Sequence, residues 1–204
     1  VTRTRSGSLR DTIVRMSLKK IPGVVVKPLL LPTYLAMIEA SVGSTLFRTF
    51  WAEVNGKRTD IVRGGRVSCS FFVSSILKLF NLAQEVQVTV TRLRLDMERG
   101  GWQEISRPRK GCVVIWAEKP AGSARMKKDA GTYQPMVRHC GFFVGNGTCV
   151  TNDGEETLAP RLMPLKYRPV EGYFWHEALE AGHAMPEKAA PARKPGLYWH
   201  PNKA

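Results

Sequence analysis

Acidic residues are scarce in this chain. Asp and Glu number 17 against 31 Lys and Arg, so the 204 residues carry a formal charge of +14. An imbalance of that size speaks to partners rather than to fold, and it favours an anionic polymer or surface. The charge is dispersed rather than gathered into one run, and no recognised RNA- or DNA-binding motif accompanies it. Nucleic acid as a partner is thus unsupported by motif. Cysteine is sparse as well. Cys69, Cys112, Cys140 and Cys149 form no CxxC pair, and none is followed by His or Cys at zinc spacing. That argues against a structural metal. The spacing resembles no disulfide framework either, so free thiols are expected. Long apolar runs are also missing. Gly23 to Ala40 is broken by Lys27, Pro28 and Pro32, which argues against an integral membrane segment there.

What is present suffices for one core. Hydrophobic residues make up 43% of the chain, too many for global disorder. Residues 1–20 read as a basic N-terminal arm with Arg3, Arg5, Arg10 and Arg15. Residues 21–180 read as the folded domain, and 181–204, rich in Pro, Ala and Lys, as a tail. From Pro32 the pattern turns helical, with Leu35, Ile38 and Val42 in phase and Gly43 as the stop. Asn55-Gly56 marks a turn. "SCSFFVSSILKLF" predicts a helix to about Phe80 whose stripe is Phe72, Val73, Ile76, Leu77 and Phe80. A second helix is expected over 89–99, ending at Gly100-Gly101. "CVVIW" reads as a buried strand, and "HCGFFVGNGTCVTND" as two strands joined at Asn146-Gly147. "GYFWH" reads as a last strand, while 117–133 read as a basic loop.

Two residues stand out for chemistry. Cys69 falls at the start of its helix, where unpaired N–H groups lower a thiol's pKa and so make it a nucleophile. Gly64-Gly65 before it allow a tight entry, and the Cys69 N–H could help bind an oxyanion. A buried, inert cysteine is the common alternative. Of the four histidines, His139 lies on a strand, where a rigid element holds its ring. The hairpin register then supplies a third member. A two-residue loop pairs Gly145 with Thr148 and Gly141 with Asn152, which puts Asn152 on the His139 face. A three-residue loop instead puts Thr151 and Asp153 there.

The stretches "SCSFFVSSILKLF", "GGWQEISRPRKGCVVIW" and "RHCGFFVGNGTCVTN" together resemble the NlpC-type branch of papain-like cysteine peptidases and amidases. The resemblance covers about residues 60–176. It implies an α+β, papain-like fold in which the nucleophile helix packs on an antiparallel sheet of 112–116, 139–144, 148–153 and 171–176. It further implies Cys69 as nucleophile and His139 as base, without metal or organic cofactor. The third, orienting residue falls on Thr151 by strict count, and on Asn152 with a one-residue register difference. The substrate class implied is the peptide of bacterial peptidoglycan, which would place the protein in the cell envelope or outside the cell. Ser68 and Cys112 stand where the family usually has Asp, so the machinery resembles the family more than its substrate pocket does. Acyl transfer or deamidation on the same triad, and non-catalytic binding of an anionic polymer, are the alternative readings.

Overall fold

The computed structural model describes residues 29–120, 136–154 and 156–180. The basic arm, the tail and residues 121–133 of the expected loop lie outside the described residues, whereas 117–120 are strand rather than loop. The first element, α1 (Leu30–Ala40), starts two residues before the expected Pro32. Proline is tolerated there because the first turn of a helix has no partner for its N–H. The buried stripe is Leu31, Tyr34 and Ile38, with Val42 beyond the helix and 41% exposed. The Asn55-Gly56 turn joins β1 (Trp51–Val54) to β2 (Lys57–Asp60) in an antiparallel hairpin. Next come α2 (Cys69–Leu79) and α3 (Val90–Arg99), the latter capped by the Thr89 hydroxyl on Arg92 N–H.

Six strands complete the chain: β3 (Trp102–Ile105), β4 (Val113–Pro120), β5 (Met136–Gly145), β6 (Thr148–Asp153), β7 (Ala159–Pro164) and β8 (Val170–His176). They form one antiparallel sheet in the order β3-β8-β4-β5-β6-β7. The architecture is therefore α+β, with three α-helices among the described residues. Strand β4 lies inside the sheet, and Val113, Val114, Ile115 and Trp116 are all fully buried, as the unbroken apolar run requires.

The core joins the helices to this sheet. Phe72 of α2 and Tyr34 of α1 both meet the Phe142 ring edge-on, at 5.4 and 5.7 Å between centroids. The Tyr34 hydroxyl donates to Gly111 O at 2.9 Å, so its buried polar end is satisfied. Phe72, Val73 and Leu77 are fully buried, each contributing about 1.5–3 kcal/mol to holding α2 against the sheet. That packing fixes where the first turn of α2 sits. No helix among the described residues is long and apolar enough to cross a membrane.

Candidate active site

The chain enters α2 through a loop that side chains and glycines bend into place. The Asp60 carboxylate ends β2 and accepts from the N–H groups of Phe50 (3.0 Å), Val62 (3.2 Å) and Gly64 (2.6 Å). These bonds, that from Phe50 foremost, lower its pKa from the ordinary value. Arg63, Gly64 and Gly65 then take positive φ in succession. Gly65 has φ +95°, and a Cβ there would lie 2.6 Å from Leu158 O. Only glycine permits both that conformation and that approach. The Gly65 carbonyl is held from two sides, by Ser68 Oγ at 3.1 Å and by Asn152 Nδ2 at 2.7 Å.

Cys69 is thereby the first residue of α2, half-buried. Ser68, the N-cap residue, makes no side-chain cap, and its hydroxyl donates to the Gly65 carbonyl. The first N–H groups of α2 are therefore claimed by no capping side chain, and an anion formed there would meet them. The Cys69 thiol is held well below the usual thiol range. Its leading cause is a hydrogen bond from the Cys140 thiol. Burial opposes this, while the charge and hydrogen bond of His139 and the Cys140 N–H add to it. Burial pushes Cys112 and Cys149 in the other direction, each to about 12.

Among the described residues, one of the four cysteines is thus set up as a thiolate. Iodoacetamide should label Cys69 at pH values below about 8.5, where a free thiol is mostly protonated. Cys112 and Cys149 should stay unlabelled. In His139→Ala the labelling midpoint should rise while staying below about 8.5, because the larger cause, the Cys140 hydrogen bond, remains. Peptide mapping across pH measures this, and a Cys69 midpoint equal to that of a free thiol would remove the thiolate.

His139 sits on β5 directly across from Trp116, with the rings 5.7 Å apart. Tyr167 stands edge-on to both rings, at 6.0 Å from His139 and 5.1 Å from Trp116. The imidazole Nε2 lies 2.7 Å from Thr151 Oγ1. Thr151 in turn donates its hydroxyl proton to Cys140 O at 2.6 Å. A hydroxyl has one proton, so toward His139 it can only accept. Nε2 therefore carries the ring proton, and in the neutral imidazole Nδ1 is left as the acceptor for the Cys69 side.

Asn152 does not orient His139. The two-residue Asn146-Gly147 loop and the Gly145–Thr148 pair are as expected, but Phe143 then pairs with Cys149. Val144 is an extra residue, a β-bulge, and it shifts the rest of β5 by one against β6. Because side chains alternate, that one step exchanges the two faces of β6. Thr151 comes to the imidazole, and Asn152 turns to Gly65 on the loop before the nucleophile. Gly145 at φ +100°, just before the turn, is the sequence signal that could have located the bulge. Asn152 is 1% exposed, and among the described residues its Oδ1 has no hydrogen-bond partner.

Sequence reasoning also missed Cys140, whose Sγ lies 3.7 Å from Ser70 Oγ beside Cys69 and whose hydrogen bond is the leading cause that lowers the Cys69 pKa. The arrangement is that of a thiolate, an imidazole and an orienting hydroxyl, beside helix N–H groups able to receive an oxyanion. Among the described residues no cluster of three or more His, Cys, Asp or Glu side chains could hold a metal ion. No family model, no curated protein and no solved structure matches this chain.

Proposed function

We propose that the protein is a cysteine hydrolase of NlpC-type, papain-like architecture that cleaves an amide bond. The observation that carries this reading is Cys69 at the opening of α2, its thiol held low by Cys140 and His139, with Thr151 hydrogen-bonded to the His139 ring. Cys69 Sγ attacks the amide carbonyl carbon, and the oxyanion that forms draws on the N–H groups opening α2. The C–N bond breaks as His139 delivers its Nδ1 proton to the leaving amine. Water then attacks the thioester, giving a proton back to His139 and freeing Cys69. Thr151 keeps the ring in the tautomer these transfers need.

The substrate class follows from the resemblance of the motifs to NlpC-type enzymes, namely the peptides of peptidoglycan. The net charge of +14 supports it, since that polymer is anionic in many cell walls. Purified cell wall should be incubated with the protein, and released fragments identified by mass spectrometry. New amino termini paired with new carboxyl termini indicate hydrolysis, and binding without fragments would leave a polyanion-binding domain instead.

Thr151→Val should lower turnover by about tenfold, because the ring loses the acceptor that fixes its tautomer. Thr151→Ser should restore most of it. Asn152→Ala should leave the pH profile of kcat unchanged while lowering thermal stability, since it ties down a loop rather than the imidazole. If Asn152→Ala moves the pH profile and Thr151→Val does not, Thr151 is not the orienting group.

A further inference from the structure

In the mechanism above the Cys140 sulfur forms no covalent bond and only helps hold the Cys69 thiol low. Cys140 is fully buried on β5, one residue beyond His139. Its Sγ lies 3.7 Å from the Oγ of Ser70, the residue next to Cys69 in the first turn of α2. The leading cause that holds the Cys69 thiol low is a hydrogen bond to Cys140, which accords with that placement. One thiol is thus partly exposed and held low in pKa, and the other, near it, is sealed from solvent. The remaining two cysteines have no such neighbour. Phe143 of β5 separates them, donating its N–H to Cys112 O on one side and pairing with Cys149 on the other. Two strand spacings, about 9.5 Å, exceed the reach of a disulfide.

We propose that Cys69 and Cys140 form a reversible disulfide, with Cys140 as resolving thiol and a hydroperoxide as oxidant. In the first step the Cys69 thiolate attacks one peroxide oxygen. An S–O bond forms, the O–O bond breaks, and the alkoxide or hydroxide leaving group takes up a proton. Sulfur is oxidised by two electrons and the peroxide is reduced. In the second step the Cys140 thiol gives up its proton and attacks the Cys69 sulfenic sulfur. The S–S bond forms, the S–O bond breaks, and the hydroxyl leaves with that proton as water. An external thiol reverses the bridge by two exchanges. A sulfenic acid with no neighbouring thiol passes on to sulfinic acid, which is irreversible in most proteins. The pair therefore shelters the nucleophile from permanent loss while holding it inactive. The loss of turnover rests on the hydrolase reading, whereas the bond itself does not.

The test treats the full chain with a few equivalents of hydrogen peroxide, then with excess N-ethylmaleimide in denaturant. Peptides are mapped without reduction. The expected product is one cross-linked peptide joining Cys69 to Cys140, lighter by two hydrogens and released by dithiothreitol, with Cys112 and Cys149 carrying maleimide. In Cys140→Ser, which keeps a hydrogen-bond donor beside Cys69, Cys69 should trap dimedone and proceed to sulfinic acid; in Cys140→Val, which loses that donor, it should do so more slowly. The proposal is overturned if wild-type Cys69 reaches sulfinic acid while Cys140 carries maleimide. It is equally overturned if the bridge joins any other pair. The wild-type map decides this whatever the variants do. A Cys69–Cys140 bridge in a protein that releases no wall fragments supports this inference and counts against the hydrolase reading. Fragments released by a protein that forms no bridge do the reverse.

Discussion

Cys69→Ala should abolish fragment release, lowering turnover on the order of 10⁴-fold or more, the scale seen when a covalent nucleophile is removed. Alanine fits the space, because the thiol is small and the packing of α2 rests on Phe72, Val73 and Leu77. Thermal stability should therefore change little, and binding to cell wall should persist. Cys69→Ser should fall nearly as far, since a serine hydroxyl is not deprotonated by the hydrogen bonds that hold a thiolate. Fragment release measured beside circular dichroism separates lost chemistry from lost fold. Residual turnover within tenfold of wild type would mean that Cys69 is not the nucleophile.

The largest structural effect should come from Gly65→Ala. At φ +95° an alanine is strained, and its Cβ would meet Leu158 O at 2.6 Å, a backbone atom that cannot rotate away. Relieving the clash means moving a loop whose carbonyl is pinned by Ser68 and by buried Asn152. We expect about 2–4 kcal/mol of lost stability in denaturant unfolding, together with a rise in the Cys69 labelling midpoint. Gly64→Ala is the matched control. Gly64 also has positive φ, at +66°, but nothing lies within 4 Å of the Cβ it would gain. That change should cost about 1 kcal/mol, the conformational term alone. Equal losses for the two would show that the Leu158 contact carries no weight.

Much of this site was readable before any coordinates. The helix opening at Cys69 and the β5–β6 hairpin both follow strong local signals, a helical stripe and an Asn-Gly turn. The residues of α2 bury the face their periodicity assigns, so there local pattern and tertiary packing agree. Strands β3 and β7 were not recovered, because "WQEI" is four residues long and "APRLMP" is bounded by prolines. Each gains its strand character from the neighbour it pairs with, Trp102 with His176 and Arg161 with Thr151. The first helix keeps the expected phase through Ile38 and Leu35, but it begins at Leu30, because Pro32 is tolerated in the first turn. The orienting residue was missed for a different reason. Alternation along a strand predicts faces only while pairing stays regular, and Val144 interrupts it.

That single bulged residue also bears on how such a site can change over generations. Thr151 and Asn152 hold opposite sides of β6 and do different jobs, one at the imidazole and one at the loop before Cys69. Loss of the Val144 codon would leave Phe143 opposite Cys149 and Gly145 opposite Thr148, so the pairing beyond the bulge would keep its register and both residues their partners. The extra residue is thus taken up at the turn end of the hairpin, away from the imidazole. A one-codon deletion at that point would change the length of β5 without any change among the residues that touch His139.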